Sequence, residues 1–340
     1  MKKRIYQGFI AITVIITSSI ACLLLVEVVG RVFGLLQLNP SATRFSATKG
    51  YELDPARKNI NTRGLRDREF PLLKPANTFR ILALGDSYTY GAGVSIEETY
   101  VKQLEATLNE TLNDRGFRYE VLNAGVPGYN TYQELIHLRE VGLQYNPDMI
   151  LLGFTLSDAE LGFFGLKSVE GRSWLLQFKE WVKDHFALYS FVRLRLKRLV
   201  DRLKAAKLGI IIGGTAVSPL RLAVDGKTSP GWELCRQSLE GFATLARERG
   251  IPLLLVIYPF LVNLDDTYPF RDSHTLIAKT ATDYGMNVVD LLSEFMGHEP
   301  STLWVSPRDS HPNASANAIA ASGVYKALLA HKFLPEPPSP

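Results

Sequence analysis

The chain has 340 residues, of which 46% are hydrophobic and 21% are charged, and its formal net charge is +4. This composition excludes wholesale disorder, and the length allows one large domain, or two small ones, with a full hydrophobic core. The mild positive charge comes without any nucleic-acid-binding motif, so the sequence does not support a nucleic-acid partner.

Residues 1–35 are predicted to be a membrane anchor. An uncharged apolar run, "GFIAITVIITSSIACLLLV" (8–26), follows a basic start. Its helical length, at about 1.5 Å per residue, is close to the roughly 30 Å hydrocarbon thickness of a bilayer. A cleaved signal peptide is the alternative, although its apolar region is usually only about 7–15 residues long. We expect a single-pass anchor with a cytoplasmic N-terminus, which places the following domain in the periplasm or outside the cell.

The sequence beyond the anchor divides into a collar, a domain and a tail. Residues 36–77 are mixed and polar with four prolines, and we interpret them as a linker and an irregular collar. Residues 78–332 form the predicted domain, interrupted at about 160–230 by a helical insertion. A basic helix in this insertion, over 191–209, is interpreted as a solvated face or, alternatively, as a surface that meets anionic headgroups or an acidic polymer. The tail 333–340 is expected to be disordered.

The domain alternates between apolar strands and helices. Strands are predicted over 79–85, 119–125, 147–155, 251–259 and 286–292, and helices over 96–116, 131–145, 231–250, about 271–285 and from about 314. Five strands separated by helices predict an α/β fold, a three-layer α/β/α sandwich around a five-stranded parallel sheet. Ligands on such sheets bind at the carboxyl ends of the strands, where Ser87, residues 125–130 and residues 157–158 are expected.

Two of the loops carry residues suited to nucleophilic catalysis. The first strand ends in Gly-Asp-Ser (85–87), which presents a serine hydroxyl at a strand-to-helix turn. Near the C-terminus, Asp309 and His311 stand two positions apart, before a Pro-Asn pair (312–313) that begins a helix. A serine hydroxyl needs a base to take its proton and a third group to orient that base. Taken alone, Ser87 is typical of a helix cap, and an Asp-x-His pair is more often found by chance than in a catalytic site. The two motifs are informative only together with the loops between them.

These motifs resemble those of the SGNH, or GDSL, hydrolase family. The first family motif is the Gly-Asp-Ser at 85–87, and the second is a glycine after the second strand, matched by Gly128 in "NAGVPGYNT" (123–131). The fourth is a late aspartate and histidine followed by Pro-Asn. The resemblance covers about residues 78–332 outside the insertion, and it implies a flavodoxin-like fold and a serine esterase or acyl hydrolase.

Two positions depart from the family pattern. The third motif usually reads Asn-Asp, and its asparagine donates to the oxyanion, whereas this chain has Ser157 before Asp158. Loss of one such donor costs on the order of 100- to 1,000-fold in rate. Ser157, a water or Asn130 replaces that donor, or the enzyme is slow or altered. Many members also place the aspartate three positions before the histidine, where this chain has Arg308. The spacing found here is similar to that of anchored polysaccharide O-acetyltransferases and acetylesterases in the same superfamily.

The resemblance implies a role for each candidate residue. Ser87 is the nucleophile, His311 is the base and Asp309 is the orienting acid, and no metal or organic cofactor is implied. The implied oxyanion donors are the backbone N–H groups of Ser87 and Gly128 and the hydroxyl of Ser157. The candidates for substrate contact, which flank this site, are Asp86, Tyr88, Tyr129 and Asn130.

Three functions are compatible with these residues. We favour a membrane-anchored serine esterase that acts on O-acyl esters, such as acetyl esters, of envelope or secreted carbohydrate. The alternatives are a polysaccharide O-acetyltransferase with the same triad and a glycan-binding or assembly protein with a weakened oxyanion site. The expected partners are an acylated small molecule or polysaccharide and the membrane, and the sequence assigns no oligomeric state.

Overall fold

The computed structural model describes residues 2–36, 42–159 and 229–336 continuously. Between 178 and 228 it describes short pieces, namely residues 178, 181–182, 185–189, 191–193, 195–196, 211–212, 215–216, 223–224 and 227–228. Most of the predicted insertion, most of the predicted basic helix and the end of the predicted tail therefore lie outside the described residues.

Strands and helices follow one another along the described chain. The strands are β1 (Thr43–Ser46), β2 (Gly50–Leu53), β3 (Thr78–Gly85), β4 (Arg118–Gly125), β5 (Met149–Phe154), β6 (Ile211–Ile212), β7 (Thr215–Ala216), β8 (Ala223–Val224), β9 (Lys227–Thr228), β10 (Leu253–Ile257), β11 (Asn287–Asp290), β12 (Trp304–Ser306) and β13 (Asp309–Pro312). The helices outside residues 178–196 are α1 (Lys2–Val32), α2 (Ser87–Tyr90), α3 (Tyr100–Thr111), α4 (Thr131–Glu140), α5 (Pro230–Arg249), α6 (Arg271–Asp283), α7 (Leu292–Phe295) and α8 (Ala314–Ala330).

A five-stranded parallel sheet forms the centre of the molecule, as predicted. Its strand order is β4-β3-β5-β10-β11, which is the flavodoxin-like order in which the first strand lies between the second and the third. Strands β5 and β10 are buried along their whole length, because helices cover both faces of the sheet. The strand order reverses at β3, because β4 lies on one side of it and the later strands lie on the other. A crevice is therefore expected outside the carboxyl ends of β3 and its neighbours.

Two layers of helices flank the sheet. Right-handed crossovers place the helix after β3 on one face and the helices after β4, β5 and β10 on the other. Accordingly, α3 packs with α8, while α4 packs with α5 and α5 packs with α6. Helix α8 thus returns the C-terminal part of the chain to the face of α3, beside the end of β3.

Helix α1 precedes the domain and is apolar along most of its length. Its segment Ile10–Val32 has a mean hydropathy of 2.4 and is long and apolar enough to cross a membrane. The side chains described along this segment are nearly all exposed. By length and composition, the helix fits a membrane anchor or a signal sequence.

The predicted collar contains a hairpin and packs into the domain. β1 pairs with β2 in antiparallel register, which was not predicted because these four-residue strands show no apolar alternation. Leu65 and Phe70 are buried in the core of the domain. Asp67 accepts a hydrogen bond from the backbone N–H of Asn123 on β4 at 2.9 Å and pairs with Lys102 on α3 at 2.8 Å. Residues 65–70 are therefore a structural part of the domain.

Candidate active site

Glycines at the ends of three neighbouring strands allow the short helix α2 to pack directly onto the sheet. Gly85 ends β3 with a φ of +152°, and a Cβ there would lie 2.1 Å from Thr89 Oγ1. A Cβ on Gly125 would lie 2.3 Å from the Tyr90 nitrogen, and one on Gly153 would lie 2.4 Å from Thr89 Oγ1. Any side chain at these positions would displace α2. The glycines therefore fix the place of the first residue of the helix, which is Ser87.

Asp86 is the N-cap of α2 and is buried beneath the turn. Its carboxylate accepts hydrogen bonds from the Tyr88 backbone N–H at 2.8 Å, from Thr155 Oγ1 at 3.0 Å and from Ser157 Oγ at 3.3 Å. Burial raises the pKa of this carboxyl above its ordinary value, against the lowering effect of these hydrogen bonds and of the nearby His311. Asp86 thus joins the end of β3 to the loop that follows β5.

The hairpin β12–β13 brings Asp309 and His311 to the first turn of α2. His311 Nε2 lies 3.0 Å from Ser87 Oγ, and His311 Nδ1 lies 2.6 Å from Asp309 Oδ1. Asn313 caps α8 directly after the hairpin, and its side-chain amide donates to the carbonyls of Thr302 and Trp304, which holds the hairpin against the preceding loop. The His311 and Asp309 side chains are 35% and 42% exposed, so the serine–histidine–aspartate line opens to solvent.

Tyr88 packs against the imidazole of His311. The two ring centroids are 6.0 Å apart in an edge-on arrangement, and the ring of Tyr258 contacts Tyr88 in a similar way at 5.6 Å. Tyr88 is only 9% exposed, and burial raises the pKa of its hydroxyl. Tyr88 therefore supports the imidazole by packing against it, and little of the Tyr88 surface is accessible to a substrate.

The candidate oxyanion donors lie on three different loops. Ser87 is the first residue of α2, where backbone N–H groups have no partner within the helix. Gly128 is exposed at the second central position of a turn closed by Tyr129 N–H and Val126 O at 3.1 Å, and its φ of +77° suits glycine there. Ser157 is exposed, but its hydroxyl lies 2.6 Å from Thr155 Oγ1 and also contacts Asp86.

Two more of the predicted substrate contacts have partners inside the protein. Tyr129 is buried, and its hydroxyl donates to the Tyr51 carbonyl at 2.6 Å. Asn130 is buried as the N-cap of α4, where its side chain accepts from the Gln133 backbone N–H at 3.1 Å within a capping box. With Asp86, these side chains connect loops of the protein, so the structure assigns them positions beneath the site.

Three buried polar groups lie near the site, and sequence reasoning missed two of them, Thr155 and Glu134. Thr155 joins Asp86 to Ser157, and Asp158 accepts from the Thr155 backbone N–H at 2.7 Å. Glu134 on α4 is 1% exposed, and its carboxyl has no hydrogen-bond partner in the described chain. Burial raises the pKa of the Asp158 and Glu134 carboxyls well above their ordinary values, and the negative charge of neighbouring acidic side chains raises them further. Glu134 is the fourth residue of the predicted helix 131–145, where a charged residue gives no local signal for burial.

Arg66 of the collar was also missed. Its guanidinium donates to the backbone carbonyls of Gly91 at 2.9 Å and Val94 at 2.6 Å, and it also binds the Tyr90 carbonyl. These carbonyls belong to the last residue of α2 and to the loop after it, so Arg66 holds the loop that leaves the site. An arginine in an irregular polar segment gives no local signal for this role.

A second histidine–aspartate pair lies between α6 and β11. His274 Nδ1 is 2.9 Å from Asp290 Oδ1, and the other ring nitrogen lies 3.1 Å from the hydroxyl of Tyr268. This histidine is 1% exposed and fills a structural position between α6 and β11. Across the described residues, no group of three or more His, Cys, Asp or Glu side chains is placed to hold a metal ion.

A family model matches more than half of the chain. The GDSL-like lipase/acylhydrolase family matches residues 83–274, a range that includes Ser87 and ends before Asp309. No curated protein matches the chain.

Several solved structures share similarity at low identity. One is a two-domain esterase active on acetylated mannans, at 16% identity and a TM-score of 0.44, with 77% of this chain and 52% of that chain covered. TesA matches at 18% identity and a TM-score of 0.44, with 75% and 99% covered. The acetylxylan esterase Axe2 from Geobacillus stearothermophilus matches at 14% and 0.44, with 73% and 93% covered. This chain spans about half of the mannan esterase, and these similarities are too low to assign a substrate.

Proposed function

Because the chain belongs to the GDSL-like lipase/acylhydrolase family and is therefore an ester-bond hydrolase, we propose that Ser87, His311 and Asp309 are its catalytic triad. The observation that carries the proposal is the line of hydrogen bonds from Asp309 Oδ1 through both ring nitrogens of His311 to Ser87 Oγ, at 2.6 and 3.0 Å. These distances fall within the reach of about 2.6–3.2 Å that proton transfer to a general base requires.

The proposed reaction has two steps. Ser87 Oγ attacks the ester carbonyl carbon while its proton passes to Nε2 of His311, and the Asp309 carboxylate stabilises the imidazolium through Nδ1. His311 then gives this proton to the departing alcohol oxygen, which leaves the acyl group on Ser87. In the second step, His311 takes a proton from water, the resulting hydroxyl attacks the acyl carbon, and the proton returns to Ser87.

The oxyanion formed in each step needs hydrogen-bond donors. We assign the backbone N–H groups of Ser87 and Gly128 to this role, because the first is unpaired within α2 and the second belongs to the exposed turn after β4. Ser157 serves as a third donor only after its hydroxyl turns away from Thr155 and Asp86.

We further propose that α1 anchors the protein in a membrane with the domain outside the cytoplasm. The support is the apolar segment Ile10–Val32, preceded by the basic residues Lys2, Lys3 and Arg4, which favour a cytoplasmic N-terminus. On that side of the membrane, O-acyl esters of envelope or secreted carbohydrate are the proposed substrates. The Asp-x-His spacing, similar to that of anchored acetylesterases and O-acetyltransferases, agrees with this class.

The nucleophile is tested by labelling the full chain in detergent with a fluorophosphonate probe. We expect labelling of the wild type and of the control Ser293→Ala, which alters an exposed serine on α7, and no labelling of Ser87→Ala. Wild-type protein that stays unlabelled would contradict the proposal and favour a glycan-binding protein.

Product analysis then tests the reaction. An acetylated oligosaccharide should release acetate in the presence of the wild type, and added acceptor glycan should leave the acetate yield unchanged. If the acetyl group appears on the acceptor instead, the proposal of hydrolysis is wrong, and the same residues catalyse acyl transfer.

A further inference from the structure

The end of α1 is fastened to the segment 185–188 of the insertion. Glu27 is 4% exposed, and its two carboxylate oxygens accept hydrogen bonds from the backbone N–H groups of Ala187 and Leu188, each at 2.7 Å. Arg31 donates to Glu27 at 2.6 Å and also binds the carbonyl of His185. Since α1 offers both a carboxylate and a guanidinium to this backbone, the segment has a defined position beside the helix end.

This fastening sets the depth of the segment. Glu27 directly follows the uncharged run 8–26 and lies within the last two turns of the segment Ile10–Val32, near the end of the part of α1 that is long enough to cross the hydrocarbon core. Charged side chains at the end of such a run lie at the membrane–water boundary, where they pair with each other or with backbone groups. Residues 185–188 therefore lie level with that boundary.

Apolar side chains are exposed around this point. Among the described residues beyond 36, eight large hydrophobic side chains are exposed, and five of them belong to the insertion: Phe178, Trp181, Phe191, Val192 and Leu196. The Trp181 ring stacks on His185 at 4.9 Å and on Phe178 at 5.9 Å. Trp181 is thus connected through His185 to the residues that Arg31 and Glu27 hold.

Positive charge accompanies these apolar groups. Arg193 and Arg195 are exposed, and the Arg195 guanidinium lies 4.7 Å from the centre of the Phe191 ring. Tryptophan with arginine is the combination found at the interfacial layer of membranes, where the ring enters the headgroup region and the cation meets anionic lipid.

We propose that Phe178, Trp181, Phe191, Val192 and Leu196, together with Arg193 and Arg195, form an interfacial surface that rests in the headgroup layer of an anionic phospholipid bilayer. The proposal depends on membrane anchoring by α1, and it assigns the insertion a second, peripheral attachment to the same bilayer. The occupant of this surface is lipid, because the surface is continuous with the end of the helix that crosses the membrane.

The test uses the full chain reconstituted in vesicles of phosphatidylglycerol and phosphatidylcholine, the latter with brominated acyl chains that quench nearby tryptophan fluorescence. The chain has four tryptophans. We measure the part of the tryptophan emission that the brominated lipid removes. We expect this part to fall in Trp181→Phe by the contribution of one tryptophan and to stay unchanged in the control Trp304→Phe. Equal quenching in the wild type and in Trp181→Phe would overturn the proposal, as would quenching that is as strong in vesicles without phosphatidylglycerol.

Two controls separate this proposal from the others. Flotation of the protein with vesicles reports membrane anchoring, so a chain that floats while Trp181 stays unquenched loses only the interfacial surface, and a chain that fails to float loses both. Hydrolysis of a soluble ester by Trp181→Phe should equal that of the wild type, which shows that the variant is folded and that the proposed triad is unaffected.

Discussion

At the scale of single residues, the hydrogen bonds among Asp86, Thr155 and Ser157 determine whether the Ser157 hydroxyl is free to assist the reaction. Thr155 donates to the Asp86 carboxylate at 3.0 Å, and the hydroxyls of Thr155 and Ser157 lie 2.6 Å apart. A serine hydroxyl has one proton. Ser157 has two acceptors within the protein, Thr155 and Asp86, and its proton is directed toward them.

We therefore expect Ser157→Ala to lower kcat/KM by less than about tenfold, because the variant removes an internal hydrogen bond and no donor to the oxyanion. The measurement is hydrolysis of a soluble acetyl ester by the full chain. A loss in the range of about 100- to 1,000-fold, typical of a missing oxyanion donor, would show that Ser157 turns toward the substrate. The companion variant Ser157→Asn should raise kcat if a longer side chain supplies the donor.

The residues of the candidate site that could be predicted are those whose sequence neighbours mark the end of a strand or the start of a helix. Ser87 follows a glycine at the end of an apolar strand, and His311 precedes a Pro-Asn helix start. Thr155 continues an apolar run and Arg66 lies in an irregular segment, so their contacts with Asp86 and with the loop after α2 become visible only in three dimensions.

At the scale of elements, helix α4 shows how a residue beside the site contributes to folding. Asn130 caps this helix and the Gln133 side chain accepts in return from the Asn130 backbone N–H at 3.3 Å. The cap fixes the direction in which the loop 125–130 enters the helix. This loop includes Gly128, so the cap also positions a proposed oxyanion donor.

Replacement of Asn130 by alanine should lower the free energy of unfolding by about 1 kcal/mol, the usual cost of a lost N-cap. KM for a soluble ester should stay unchanged, because the Asn130 side chain is buried and occupied by the helix end. Thermal unfolding and steady-state kinetics measure the two effects. Asn130→Ser, which keeps a capping oxygen without adding a charge, should retain most of the stability. A raised KM at unchanged stability would restore Asn130 as a substrate contact.

The same helix carries a histidine that must stay neutral in the folded protein. Burial, with a smaller contribution from Lys49, lowers the pKa of His137 from 6.5 to about 3, against the opposing effect of Glu52. The unfolded chain therefore binds a proton that the folded chain does not, at every pH between these two values. Stability should fall as the pH drops below about 6.5.

His137→Leu should remove this dependence. We expect the difference in Tm between the variant and the wild type to shift in favour of the variant as the pH is lowered from neutral toward about 5. Glu134→Gln serves as a control of opposite sign, because burial raises the pKa of the Glu134 carboxyl and the wild type loses stability as the pH rises above about 4.5. Parallel curves for all three proteins would contradict both assignments.

At the scale of the whole molecule, the periodicity of the sequence predicted the sheet and its flanking helices within a few residues. Strands β5 and β10 are continuous apolar runs, and β3 and β4 are mostly apolar although they include Arg80 and Glu120. Segments with helical spacing lie between the central strands. The hairpins β1–β2 and β12–β13 escaped prediction because their strands have only three or four residues and mixed polarity. Their pairing depends on the loops against which they pack, and local propensity does not report it.

The collar provides a prediction at this scale. A fragment beginning at residue 42 retains Leu65, Phe70 and the ion pair of Asp67 with Lys102, so it should fold without α1. A fragment beginning at residue 78 lacks these core contacts and leaves Lys102 without Asp67, so it should be insoluble or unfold at a much lower temperature. Circular dichroism and thermal unfolding of the two fragments give the comparison, and equal stability would return the collar to the status of a linker.

The separation of Ser87 from His311 has a consequence for how the protein is made. The two residues are 224 positions apart, and the hairpin that carries His311 is held by α8, the last helix of the described chain. During synthesis the serine emerges 224 residues before its proposed base. If the proposed triad carries the activity, the nascent polypeptide stays inert toward esters until the domain has closed on α8.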